Sequence, residues 1–117
     1  MIKWIIIAIL LFIGIRRLIP TKGIHHIDVP EAKAMRGKGN IQWIDVRSPL
    51  EYAGQRDELF RNIPLNKLKK ESPNLNKEAP VVLICQSGVR SNRAANILKR
   101  QGFTDIYNVR GGMTVWG

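Results

Sequence analysis

Cysteine is nearly absent from this sequence: Cys85 is the single one in 117 residues. That excludes an intrachain disulfide and a cysteine-based zinc site built by this chain alone. A lone thiol fits a reducing compartment. Histidine is scarce too. His25 and His26 are adjacent in an extended stretch, so they face opposite sides and make a poor metal pair. No metal and no cofactor is expected. Both are far in sequence from Cys85, so a histidine base for the thiol is not indicated. Acidic residues are few, 9 against 19 Lys and Arg, and the formal net charge is +10. The cations are spread along the chain, with no dense basic run and no interleaved aromatics, so no nucleic-acid partner is expected. The nearest thing to a patch, LNKLKK (Leu65 to Lys70), reads as the solvated face of a short helix. Anionic lipid headgroups are the better match for the charge. Low-complexity stretches and repeats are missing. An apolar fraction of 44% and a charged fraction of 24% suit one small globular domain.

What is present begins with an apolar run. From Trp4 to Ile15 there is no charged or strongly polar side chain. As a helix this run spans about 18 Å, against a hydrocarbon core of ~30 Å. Met1, Ile2, Leu18 and Ile19 extend it, and Lys3, Arg16 and Arg17 can snorkel from near its ends. No small-residue cleavage site follows, which disfavours a signal peptide. Arg16, Arg17 and Lys22 follow the run, and positive charge is retained on the cytoplasmic side. The expectation is therefore an N-terminal transmembrane anchor over residues 1–19 and a domain over 22–117. The chain is expected in the cell membrane as a single-pass protein with its domain in the cytoplasm. A helix lying on the membrane surface is the runner-up.

The rest alternates strands and helices. His25 to Ile27 reads as a strand, followed by a helix capped by Asp28, with Pro30 in its first turn and Gly37 as its stop. Ile41 to Val46 is a strand. Ser48 caps a short helix that starts at Pro49. Asn62 to Leu65 is a brief strand. Val81 to Ile84 is continuously apolar and β-branched, as in a strand covered on both faces. Ser91 to Gln101 is a helix with Ala94, Ala95, Ile97 and Leu98 on its apolar face and Gly102 as its stop. Asp105 to Val109 is the last strand. This order argues an α/β fold: a small parallel sheet with helices on both faces. Trp43 and Trp116 are expected in the core.

Ligands of such sheets bind beyond the carboxyl ends of the strands, and Cys85 stands at that end of the most buried strand. The loop after it is Gln86, Ser87, Gly88, Val89 and Arg90. Gly88 permits a backbone in which successive N–H groups point inward as an anion-binding nest. The helix that follows adds unpaired N–H groups and the positive end of its dipole. Arg90, with Arg93 as a second candidate, adds formal charge. A thiol facing this cradle ionises more readily, and the thiolate is the nucleophile. Four residues separate Cys85 from Arg90. Cysteine phosphatases use a longer loop, and the tighter one suits a persulfide better than a phosphate.

CQSGVRS (Cys85 to Ser91) resembles the active-site loop of the rhodanese (sulfurtransferase) domain family. IDVRSPLEY (Ile44 to Tyr52) resembles that family's Asp-Val-Arg motif and the acidic helix after it, and NIPL and GGMTVW resemble later landmarks. The matches cover roughly residues 22–117 in the right order. The resemblance implies a small parallel α/β domain without metal, in which Cys85 becomes a persulfide, the Gln86–Arg90 backbone binds the sulfur or its donor, and Arg90 closes the loop. With the N-terminal run, it implies the membrane-tethered bacterial type. The segment GQRDELFR (Gly54 to Arg61) departs from the family pattern, which leaves the pocket wall open. Asp45 and Arg47 read as a structural ion pair, with Glu51 as a further partner.

The expected function is sulfur transfer through Cys85, from thiosulfate or a persulfide to an external thiol, protein or other nucleophile. Two alternatives stay open: a membrane-tethered persulfide relay or docking module with little free turnover, and a phosphatase or arsenate reductase of the same fold.

Overall fold

The computed structural model describes residues 1–18 and 23–117. The elements in chain order are α1 (Ile2–Leu18), β1 (Ile24–Ile27), α2 (Val29–Ala34), β2 (Gln42–Asp45), α3 (Pro49–Gly54), β3 (Arg61–Asn62), α4 (Leu65–Glu71), β4 (Val81–Ile84), α5 (Val89–Arg100), β5 (Ile106–Val109) and α6 (Met113–Trp116). A 3-10 turn, Ser72–Asn74, follows α4.

The strands form one sheet in the order β1-β5-β4-β2-β3, and every pairing is parallel. β4 lies at its centre and all four of its residues are buried. Its side chains alternate between two cores, as the pleat requires. Val81 and Leu83 join Leu68 of α4 and Ala94, Ala95 and Leu98 of α5. Val82 and Ile84 join Ala32 of α2, Phe60, and Met113 and Trp116 of α6. Trp43 packs edge-on against Phe60, and Phe60 against Trp116.

Local chemistry sets the helix starts. Asp28 accepts from the Glu31 N–H while Glu31 accepts from the Asp28 N–H, and Ser48 and Glu51 repeat this capping box on α3. α2 ends at Ala34, before Gly37, through turns that run from Ala32 to Lys38. β3 has only two residues, because Leu65 already begins α4. α5 begins at Val89, two positions before Ser91, since Gly88 takes a left-handed φ of 105° as its cap.

The N-terminal expectation is overturned. α1 has 17 residues, about 26 Å as a helix against a core of ~30 Å. Arg16 and Arg17 fall inside α1 rather than beyond it, and Lys3 stands in its first turn. Among the described residues no helix is long and apolar enough to cross a membrane. The transmembrane anchor over 1–19, the single-pass membrane location and the cytoplasmic orientation derived from it are therefore withdrawn. Ile19, Lys22 and the start of the domain at residue 22 lie outside the described residues. Met1 and the residues of α1 from Ile2 to Gly14 are exposed.

Candidate active site

The site assembles where β4 and β2 end side by side. Val46 donates its N–H to Ile84 O, so both chains leave the sheet together, one into Cys85 and the other into Arg47. Cys85 is 1% exposed. The loop over it is shaped from two directions. Gly88 turns the backbone into α5. On the other side the start of α6 takes the loop carbonyls: Met113 N–H donates to Cys85 O at 2.8 Å and Thr114 N–H to Gln86 O at 3.1 Å. Gly112 fits there because a Cβ would stand 2.2 Å from Cys85 O. With their carbonyls held outward, the loop N–H groups are free to face the sulfur.

Gly88 N–H donates to Cys85 Sγ at 2.9 Å, and Ser91 Oγ lies 3.3 Å from the same atom. No side chain caps α5; the sulfur takes that place. Burial is the largest single influence on the thiol and raises its pKa. The Ser91 hydroxyl and the N–H groups of Ser91, Gly88 and Ser87 together outweigh it, so the thiol lies below its ordinary range. Ser87 and Val89 are exposed at the rim, while Gln86 and Arg90 are half-buried.

Arg90 points at a carboxylate. Its Nη1 and Nη2 donate to Glu51 Oε1 and Oε2 at 2.6 and 2.8 Å. This fork holds the Glu51 carboxyl at about 2 and raises the Arg90 pKa further. Arg90 thus fastens the loop to α3. Arg93 is exposed, beside Arg90 in a groove of about 420 Å³ that also borders Ser48 and Pro49.

Asp45 and Arg47 form a second pair behind the loop. Arg47 Nη2 and Nε donate to the Asp45 carboxylate at 2.8 to 3.1 Å. Arg47 also donates to the carbonyls of Glu51 and Gln55 and to Gln86 Oε1. The Glu51 side chain does not join this pair; its partners are Arg90 and Ser48. Asn62 donates to the carbonyls of Asp45 and Arg47, which ties NIPL to the exit of β2.

The departing segment, Gly54 to Arg61, is tied down. Gln55 O holds Arg47, Asp57 accepts from Trp116 Nε1 at 2.9 Å, and Tyr52 donates to Phe60 O. Sequence reasoning missed Ser91 and Asn108. Both are buried, Ser91 against the sulfur and Asn108 behind Ser91, and the signal was a polar residue in an apolar pattern, Asn108 within DIYNV.

The Rhodanese-like domain family matches residues 28–117. Uncharacterized protein YqhL of Bacillus subtilis (strain 168) is 44% identical over 87 residues, 74% of this chain and 69% of that protein. Thiosulfate sulfurtransferase GlpE of Vibrio cholerae serotype O1 (strain ATCC 39541 / Classical Ogawa 395 / O395) is 29% identical over 91 residues, 78% of this chain and 86% of that protein. The crystal structure of a rhodanese-like domain protein from Staphylococcus aureus superposes with a TM-score of 0.73 at 30% identity, covering 80% of this chain and 91% of that one.

Proposed function

The chain belongs to the rhodanese-like domain family, and on that premise we propose that it is a sulfurtransferase whose sulfur carrier is Cys85. The observation that carries this reading is the gathering of backbone N–H groups and the Ser91 hydroxyl around one buried sulfur, with no carboxylate bonded to it. Such a cradle holds an anion on sulfur in both of its working forms, thiolate and persulfide.

The Cys85 thiolate attacks the outer, sulfane sulfur of a donor such as thiosulfate. A new S–S bond forms, the donor's own S–S bond breaks, and sulfite leaves with that electron pair. The negative charge now rests on the outer sulfur of the Cys85 persulfide, among the N–H groups of Ser87, Gly88 and Ser91. An acceptor thiol then attacks the outer sulfur. A new S–S bond forms, the bond between Cys85 Sγ and the outer sulfur breaks with its electron pair left on Sγ, the acceptor departs as a persulfide anion, and its proton passes to Cys85. No second cysteine exists in the chain, so the acceptor is another molecule. Thiosulfate enters as a candidate donor through the similarity to the Vibrio cholerae enzyme.

The short loop argues against a phosphatase. Arg90, which would have to hold a phosphate, is already bound by both oxygens of Glu51.

Intact mass spectrometry after incubation with thiosulfate should show one added sulfur atom on Cys85, removable by a reductant. Cys85→Ser should keep the fold and lose both the added mass and transfer to an acceptor thiol. Transfer retained by Cys85→Ser would sink the assignment.

A further inference from the structure

Polar side chains run in line from the sulfur to the edge of the sheet. Cys85 Sγ lies 3.3 Å from Ser91 Oγ. Ser91 Oγ donates to Asn108 Oδ1 at 2.5 Å, and Asn108 Nδ2 lies 3.1 Å from His26 Nδ1. Ser91 and Asn108 are 0% and 4% exposed, while His26 is exposed. Topology makes the line: His26 and Asn108 are register partners on β1 and β5, and α5 packs over both strands.

The hydrogens along it can be counted. Ser91 has one hydroxyl hydrogen and three acceptors in reach: Asn108 Oδ1, Gly88 O at 3.1 Å, and the sulfur. With that hydrogen on Asn108, Ser91 turns a lone pair to the sulfur, which suits a thiol S–H. Asn108 then donates to a bare His26 Nδ1. An anionic sulfur needs the hydroxyl hydrogen for itself. Asn108 Oδ1 would then face a Ser91 lone pair at 2.5 Å. Turning the carboxamide over resolves this. Its NH₂ donates to Ser91 Oγ, and its oxygen accepts from an N–H at His26 Nδ1. The two ends of a carboxamide have nearly the same size, so the turn needs no new space. The exposed imidazole moves its hydrogen between Nε2 and Nδ1 through water, with no change of charge.

We propose that Ser91, Asn108 and His26 are positioning residues for Cys85: a hydrogen-bond chain that points one way when the sulfur is a thiol and reverses when it is an anion. The proposal rests on the reading of Cys85 as an anionic nucleophile. The charged and titratable groups near the chain are already engaged. Arg90 is held by Glu51 of α3, and Arg47 by Asp45 of β2. His25 stacks on Tyr107 of β5, near Asp105.

Nitrogen-15 NMR of the full chain labelled in histidine tests it, at an alkaline pH where the thiol is ionised. His26 should carry its hydrogen on Nδ1 in the wild type and on Nε2 in Cys85→Ser, whose hydroxyl stays neutral. His25, on the opposite face, should be alike in both. The same His26 tautomer in the two proteins overturns the chain. Iodoacetamide alkylation below the thiol's titration gives a second reading. Ser91→Ala should react about tenfold more slowly and His26→Leu about threefold, as loss of one hydrogen bond to a charged group and of its remote support implies. His26→Gln, which can accept or donate, should restore the rate. A His26→Leu rate equal to wild type overturns the role of His26. Sulfur uptake from thiosulfate is scored on the same samples. A tautomer difference without uptake upholds the chain and removes the sulfur-transfer reading; uptake without a tautomer difference does the reverse.

Discussion

The side chains of Arg47 and Asp45 are 2% and 1% exposed, while those of Arg90 and Glu51 are 36% and 33% exposed. Both pairs join a guanidinium to a carboxylate by a two-pronged contact, and both border the Cys85 loop. Their settings separate their tasks. Arg47 sits inside the fold, where it binds Asp45, two backbone carbonyls and Gln86. Taking such charges out of water is costly, so each group depends on its partners. Arg90 and Glu51 meet near the surface, between the start of α5 and α3. Water screens them and can replace either partner. The inner pair is part of the core, and the outer one is a fastening on the loop.

Removing one inner partner gives the largest effect. Arg47→Ala leaves the Asp45 carboxylate buried and unpaired, a loss of about 3–5 kcal/mol in stability. That is a large share of the ~5–15 kcal/mol a domain has. Urea denaturation should show a midpoint far below wild type, with sulfur transfer lost along with the fold. Arg47→Lys should recover only part, because an ammonium cannot form the planar fork. A near-wild-type midpoint for Arg47→Ala would show that the two pairs do not differ in kind.

The outer pair should behave otherwise. Glu51→Gln and Arg90→Ala should each lower stability by only about 1 kcal/mol, while slowing sulfur uptake because the loop is no longer held to α3. The pair also has a pH signature. The Glu51 carboxyl is held at about 2, below its ordinary value of 4.5. A depressed carboxyl contributes stability above its unfolded value and loses it as pH falls through its folded value. The Glu51–Arg90 contribution should thus be whole above pH 4.5 and fade toward pH 2. Urea midpoints of wild type and Glu51→Gln should differ at neutral pH and converge in acid. A constant difference would remove the carboxylate from the account.

Much of this was legible in the sequence, because it depended on neighbours in the chain. The unbroken apolar run of β4, Asp28 and Ser48 as caps, and Gly88 as the turn into α5 are all local features. The placement of Cys85 at the end of the central strand followed from them. What depended on topology was not legible. Glu51 finds Arg90 rather than Arg47 because α3 and the start of α5 converge over the loop, 39 residues apart in sequence. Asn108 and His26 meet only because β5 lies between β1 and β4. The N-terminal run misled for a different reason. Its composition suited a span, but its length did not, since the arginines meant to flank it belong to the helix.

The sheet order also has a kinetic side. Among the described strands β1 pairs with β5 alone, with Ile24 opposite Ile106. The contact closes a loop of 82 residues, as the His26–Asn108 bond records. β2, β4 and α5 can assemble over much shorter separations, and closure cost rises with length. The strand that comes first in the chain should therefore be the last to dock. Pulse-labelled hydrogen exchange during refolding should protect the amides of Val82 and Leu83 before those of His25 and Ile27, the β1 amides that face β5. Until β1 arrives, the sulfur has its cradle but the hydrogen-bond line behind it has no far end.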